Sequence, residues 1–173
     1  MRIKFKIIKE MKKYIKERTF ALDFVEKAFK GVLDKGGKPY IEHCYMVGVT
    51  SYSDSLSEYA FYKELDESEF LATEIGIAGI LHDVVEDTCI SIETIELLFG
   101  KEVARMVDLL TRRKGESYMQ FIDRIKTCPK AKIIKRCDIM HNMDLKRLEV
   151  VTKADLERVK KYEKALKRLE SID

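Results

Sequence analysis

Tryptophan is absent from this chain, proline occurs twice, and glycine supplies only 8 of 173 residues. So few breakers favour long helices and argue against a sheet of short strands joined by tight turns. No apolar run approaches the ~20 residues that span a bilayer. The opening Met1-Arg2-Ile3-Lys4-Phe5-Lys6 carries charge with no apolar block behind it, so it does not read as a secretory signal. An excess of one charge is also missing: 33 Lys and Arg face 30 Asp and Glu, a formal net of +3. That balance gives no ground for nucleic-acid binding. Cys44, Cys89, Cys128 and Cys137 form no C-x-x-C pair and read as reduced thiols. Together these absences point to a cytoplasmic protein without a membrane or nucleic-acid partner.

What is present is an apolar fraction of 46% and helical spacing along most of the chain. The length suits one core, so residues 1–173 are expected to form a single domain. The expected class is all-α, with 1–18 as an N-terminal helix and 153–170 as a C-terminal helix packing on the domain. Ile7, Ile8, Met11, Tyr14 and Ile15 mark the first helix, and Phe20, Phe24, Val25 and Ala28 a second over about 19–31. Asp34 to Pro39 reads as a turn-rich loop that starts a third helix at Tyr40, ending near Tyr52. The polar stretch 51–67, with its Tyr-Ala-Phe-Tyr patch, reads as a loop holding a short helix. Asp66-x-x-Glu69 resembles a capping box ahead of an apolar helix over about 68–85. Ser91 caps a short helix ending at Gly100, and further helices follow over about 101–111, 117–127, 129–147 and 153–170.

The chemistry gathers around few residues. His82-Asp83 ends the apolar helix, where ionisable groups are costly unless paired or ligated. Asp83, Glu86 and Asp87 share a helical face at i, i+3 and i+4. Three carboxylates so close repel one another, and a divalent cation removes the conflict. Asp138 shares an inward face with Ile134 and His141-Asn142; with no adjacent cation it would call for a metal or an arginine, and taken alone it could pair with Arg136 or Lys135. With His43 it completes a set of two imidazoles and two carboxylates. That mixture suits a first-row divalent ion such as Mn²⁺, and ligand type alone leaves Zn²⁺, Fe²⁺ and Mg²⁺ open. Glu86 or Asp87 would orient or deprotonate the attacking water. Lys35, with Arg112, Arg113 or Lys114, would neutralise phosphates. His141 is expected to pack or hydrogen-bond near the site rather than ligate.

Gly-Lys-Pro-Tyr-Ile-Glu-His (37–43), Leu-His-Asp-Val-Val-Glu-Asp-Thr (81–88), Phe-Gly-Lys-Glu-Val (99–103) and Lys-Arg-Cys-Asp-Ile-Met-His-Asn-Met (135–143) occur in that order. In these motifs the chain resembles the HD-domain phosphohydrolases, and most closely the alarmone hydrolases of the Rel/Spo type. The resemblance covers roughly residues 20–145. It implies an HD-domain bundle of about eight to ten helices. It also implies a small single-domain form that hydrolyses the 3′-pyrophosphate of guanosine tetra- or pentaphosphate, usually with Mn²⁺. Carried over by position, His43, His82, Asp83 and Asp138 match metal ligands. Glu86 and Asp87 match the catalytic acids, and Lys35 and Asn142 match nucleotide contacts. The departures lie in the pocket. Asp34 stands where the family usually has arginine, and Asp144 and Leu145 where it often has arginine and threonine. Two alternatives stay open: another phosphorylated nucleotide as substrate, or a non-catalytic nucleotide-binding module. A homo-oligomer is compatible with either.

Overall fold

A computed structural model describes the backbone of residues 2–60 and 65–171, and the side chains of residues 15–60 and 67–171. Its helices are α1 Arg2–Ala28, α2 Tyr40–Tyr59, α3 Leu65–Leu81, α4 Val84–Asp87, α5 Ile92–Phe99, α6 Lys101–Leu110, α7 Tyr118–Lys126, α8 Pro129–Met143 and α9 Lys153–Glu170. A 3₁₀ turn, Leu145–Arg147, follows α8. Among the described residues there is no strand, only an isolated bridge between Leu33 and Pro39. The all-α expectation therefore holds, with nine α-helices among those residues.

The core is aliphatic. Ile75, Ile80, Leu81, Ile95, Met106, Ile122, Ile133 and Ile134 are essentially solvent-free. α2 and α3 pack against each other, α8 lies across both, and α9 covers α7 and α8. Cys44, Cys128 and Cys137 are buried in this interior, and Cys89 is exposed.

Small residues set the closest crossing. A methyl group on Gly79 of α3 would lie 3.0 Å from Gly48 Cα and 3.2 Å from both Val47 O and Ser51 Oγ, all on α2. Only hydrogen atoms fit between the backbones there. The approach brings His43, just before Gly48, against His82, just after Gly79.

Several boundaries differ from the expected ones. The first two helices are a single helix, because Thr19, the supposed break, returns its hydroxyl to Ile15 O at 2.8 Å and keeps the helix going. α2 continues to Tyr59 instead of fraying near Tyr52. Its serines donate within their own helix, Ser55 to Tyr52 O at 2.9 Å and Ser57 to Ser53 O at 3.0 Å, while Ser51 and Ser55 are buried. Packing on α3 thus overrides a composition that reads as loop. The apolar helix stops at Leu81, and His82 and Asp83 form a turn before the short α4. α8, expected to run to about 147, ends at Met143, where Asp144 Oδ1 accepts from Lys146 N at 3.0 Å and starts the 3₁₀ turn. The apolar face assigned to Ile7, Ile8, Met11 and Tyr14, the Phe61 and Tyr62 half of the aromatic patch, and the Asp66 cap lie outside the described side chains.

Candidate metal centre

Three separate helical segments meet at one point. α2 contributes His43, the turn after α3 contributes His82 and Asp83, and α8 contributes Asp138. His43 Nε2 lies 3.3 Å from His82 Nε2, 3.6 Å from Asp83 Oδ2 and 3.3 Å from Asp138 Oδ1. His82 Nε2 lies 2.8 Å from Asp83 Oδ2 and 3.6 Å from Asp138 Oδ1. His43, His82 and Asp138 are buried. With ligand bonds of about 2.0–2.2 Å, neighbouring donors stand about 3.0 Å apart in an octahedron and about 3.4 Å apart in a tetrahedron. The observed spacings are of this order, and the ligand atoms of His43, His82 and Asp138 all lie within 4.8 Å of one another, so these three buried residues could hold one divalent cation.

The surroundings aim the donors. His82 Nδ1 is 2.8 Å from Gly79 O, which only accepts, so Nδ1 carries a proton and, in the neutral ring, Nε2 keeps the lone pair that faces inward. Tyr40 donates its phenol to Asp83 Oδ2 at 2.5 Å. Asn142 Nδ2 donates to Asp138 Oδ1 at 2.6 Å, and Lys135 Nζ donates to Asp138 Oδ2 at 2.8 Å. Asp138 therefore does have an adjacent cation, Lys135, one of the two partners the sequence left open. Lys135, one turn back on α8, reaches the outer carboxylate oxygen and leaves the other facing the histidines.

Charge in the cluster follows from this packing. Burial opposes ionisation of Asp138, but Lys135 and the bonds from His43 and His82 hold its carboxyl well below the usual range. Burial likewise disfavours a charged His82, yet Asp83 and Asp138 push its pKa up to about 10. His43 is raised in the same way, by Asp138 and Asp83 against its burial. His141 moves oppositely, to about 4, through burial and the nearby charges of Arg147 and His43.

The acidic pair divides. Asp87, beyond Asp83 on α4, is raised by burial and by the charges of Asp83 and Glu86. Glu86 turns the other way and accepts from Arg112 N at 2.8 Å. The basic loop it touches is braced internally. Arg112 donates to Glu116 O at 2.9 and 2.7 Å, and Arg113 to Asp108 at 2.5 Å. Those two guanidiniums, expected as candidate phosphate ligands, are occupied by their own loop.

A cavity of about 230 Å³ adjoins His43, and Lys35, Asn142, Arg147, Arg158 and Tyr162 are in its lining. Lys35 and Asn142 were expected there; the other three were not. Arg158 and Tyr162 sit at i, i+4 on α9, which reads from sequence as a plain charged helix. Only the docking of α9 on α7 and α8 turns them inward. Asp34 does not face the cavity as a bare anion: Arg147 donates to its Oδ2, and Gly36 N and Lys38 N donate to Oδ1 at 2.8 and 2.9 Å. His141, as expected, hydrogen-bonds beside the site, with Nδ1 2.7 Å from His43 Nδ1.

Known proteins share this architecture. The chain is 32% identical over 120 residues to a probable guanosine-3′,5′-bis(diphosphate) 3′-pyrophosphohydrolase of Synechocystis sp., a match covering 63% of this chain and 14% of that protein. It is 35% identical over 120 residues to the guanosine-3′,5′-bis(diphosphate) 3′-pyrophosphohydrolase MESH1 of Danio rerio, covering 66% of this chain and 59% of that protein. The chain thus spans less than two thirds of either relative. A solved structure described as a metazoan ortholog of SpoT that hydrolyzes ppGpp superposes with a TM-score of 0.67 at 24% identity, over 90% of this chain and 86% of that one. A family model for the HD domain matches residues 21–166, and with its His-His-Asp cluster in place the chain belongs to the HD-domain family.

Proposed function

We propose that this chain is a metal-dependent phosphohydrolase that removes the 3′-pyrophosphate of guanosine tetra- or pentaphosphate. The carrying observation is the His43, His82 and Asp138 cluster, with Asp83 Oδ2 2.8 Å from His82 Nε2, beside a cavity lined by cationic and aromatic groups. These four residues would hold one divalent ion, Mn²⁺ by the family resemblance, a choice the donor types permit without requiring. When bound, the ion supplies Lewis acidity to a phosphoryl oxygen and acidifies the attacking water.

The protein's own groups do the rest. Lys35 and Arg158 offer positive charge to phosphates in the cavity, the charge of Arg147 being met by Asp34, and Tyr162 offers a ring edge or face to the nucleoside. Asn142 touches both Asp138 and the cavity, so it ties substrate placement to the ligand set. Asp87, with its affinity for a proton raised, is the carboxylate suited to take one from the water. Glu86 anchors the Arg112 loop beside the site. Residues 1–173 are read as one hydrolase domain, with α9 closing the cavity. No described helix is long and apolar enough to cross a membrane.

A panel of guanosine tetraphosphate, nucleoside monophosphates and dinucleotide phosphates, each with Mn²⁺, tests the substrate. Turnover of guanosine tetraphosphate, lost in Asp83→Ala together with Mn²⁺ binding, is the expected result. Hydrolysis of a different nucleotide instead would transfer the mechanism to that substrate, an outcome the altered residues Asp34 and Leu145 make worth testing. Metal binding with no turnover anywhere in the panel would favour a binding module.

A further inference from the structure

We infer that Arg147 is a positioning residue for the metal centre: held by Asp34, it fixes the proton on His141 and thereby selects the His43 tautomer that can ligate. This rests on the reading that His43 Nε2 is a metal ligand.

The two rings meet nitrogen to nitrogen, His43 Nδ1 and His141 Nδ1 being 2.7 Å apart. One must donate and the other accept. If His141 donates, neutral His43 carries its own proton on Nε2, aimed at His82 and Asp138, and ligation there is blocked. If His43 donates, its Nε2 lone pair faces the cluster. The pair of rings does not choose between these states by itself.

Arg147 does. Its Nη1 lies 2.9 Å from His141 Nδ1 and 2.9 Å from His141 O. A guanidinium has only donors and keeps its charge at any ordinary pH. A proton on His141 Nδ1 would point at that donor. His141 therefore holds its proton on Nε2, presents a bare Nδ1, and accepts from His43. Asp34 fixes the guanidinium by accepting from Nη2, and its own carboxylate is held by the Gly36 and Lys38 amides and is almost wholly buried. His82 needs no such relay, because a carbonyl of its own helix already sets its proton. The chain Asp34–Arg147–His141–His43 is thus the counterpart, for the α2 ligand, of what Gly79 O does for His82.

Simple electrostatics and the relay make opposite predictions. Asp34 and Arg147 together are neutral, so removing the guanidinium leaves a net anion near the site, which by charge alone would tighten cation binding. The relay requires binding to weaken. Titration calorimetry with Zn²⁺, a diamagnetic probe, should show Arg147→Met weakened on the order of 10–100-fold, the range typical of lost outer partners of a ligating histidine. Arg147→Lys should recover part of this, since lysine still only donates. In the metal-free wild type, at a pH where both rings are neutral, ¹⁵N-correlated spectra should show His43 protonated at Nδ1 and His141 bare at Nδ1, a readout independent of whether any variant folds. Unchanged or tighter Zn²⁺ binding in folded Arg147→Met, or a proton found on His141 Nδ1, overturns the inference. His43→Ala separates the two levels: if it binds Zn²⁺ as the wild type does, the ligand reading has failed and the relay loses its object. If it loses Zn²⁺ while Arg147→Met does not, only the relay has failed.

Discussion

Gly79→Ala tests whether the α2–α3 crossing spaces the ligands. The added Cβ would meet Gly48 Cα at 3.0 Å and Val47 O at 3.2 Å, both backbone of a packed helix. Carbon–carbon contacts are comfortable at about 3.5–4.0 Å, so α2 must retreat by roughly 0.5 Å. Overpacking of this kind costs about 1–3 kcal/mol, and alanine's helix propensity offsets about 1 kcal/mol of it. The net loss of about 0–2 kcal/mol corresponds to a Tm fall of at most about 8 °C in a chain of this size. The ion tolerates much less, since ligand distances are held to about ±0.2 Å. His43 and His82 lie on opposite sides of this crossing with their Nε2 atoms 3.3 Å apart. Mn²⁺ affinity should therefore fall by more than tenfold while the helical circular-dichroism signal persists. Gly76→Ala, a turn further from His82 and meeting first the Tyr52 side chain at 3.0 Å, should weaken Mn²⁺ less. Calorimetric titration beside a thermal melt reads both quantities. Wild-type Mn²⁺ affinity in a folded Gly79→Ala protein would refute the argument.

Other perturbations follow from the same contacts. Without metal, His82 has its pKa raised from 6.5 to about 10, so the stability it contributes is complete below 6.5 and is lost as pH rises through about 10. Melts of chelator-treated protein should fall over that window, whereas Mn²⁺ affinity should climb as the histidines lose their protons; a flat apo profile would contradict the assigned pairing. Tyr40→Phe removes the 2.5 Å bond to Asp83 but keeps the ring against Phe29, at 4.8 Å between centroids. Its Mn²⁺ affinity should drop by about 10–100-fold with little change in Tm, measured by calorimetry and melting. Asp87→Asn should retain Mn²⁺ and lose about 10²–10⁴-fold in turnover, the usual worth of a general base. Steady-state rates on the substrate that the panel identifies check this, and an unchanged kcat removes Asp87 from the reaction.

Much of the site can be read along the chain because its signals are local. His82 and Asp83 stand at the end of an apolar helix, and Asp138 shares a face with buried isoleucines; both patterns state a burial cost that needs an explanation. The same reasoning mistook Ser51 to Tyr59 for a loop, since serine looks alike in a loop and at a close helix crossing. It also left Asp138 undecided between a metal and Lys135 at i−3. That spacing permits contact without requiring it, and burial on α8 made the contact.

By itself the sequence determined the helical class and put forward four candidate donor residues in order, through composition, periodicity and the expense of hiding charge. The tertiary structure decided everything that depends on distance between remote segments. It brought α9 over the cavity with Arg158 and Tyr162, sent Glu86 to the Arg112 loop while Asp87 stayed near the cluster, and joined Asp34 to Arg147 across 113 residues. The reason is physical: burial and periodicity are properties of neighbours in the chain, whereas a hydrogen bond or a coordination edge is fixed to tenths of an ångström by how whole helices pack.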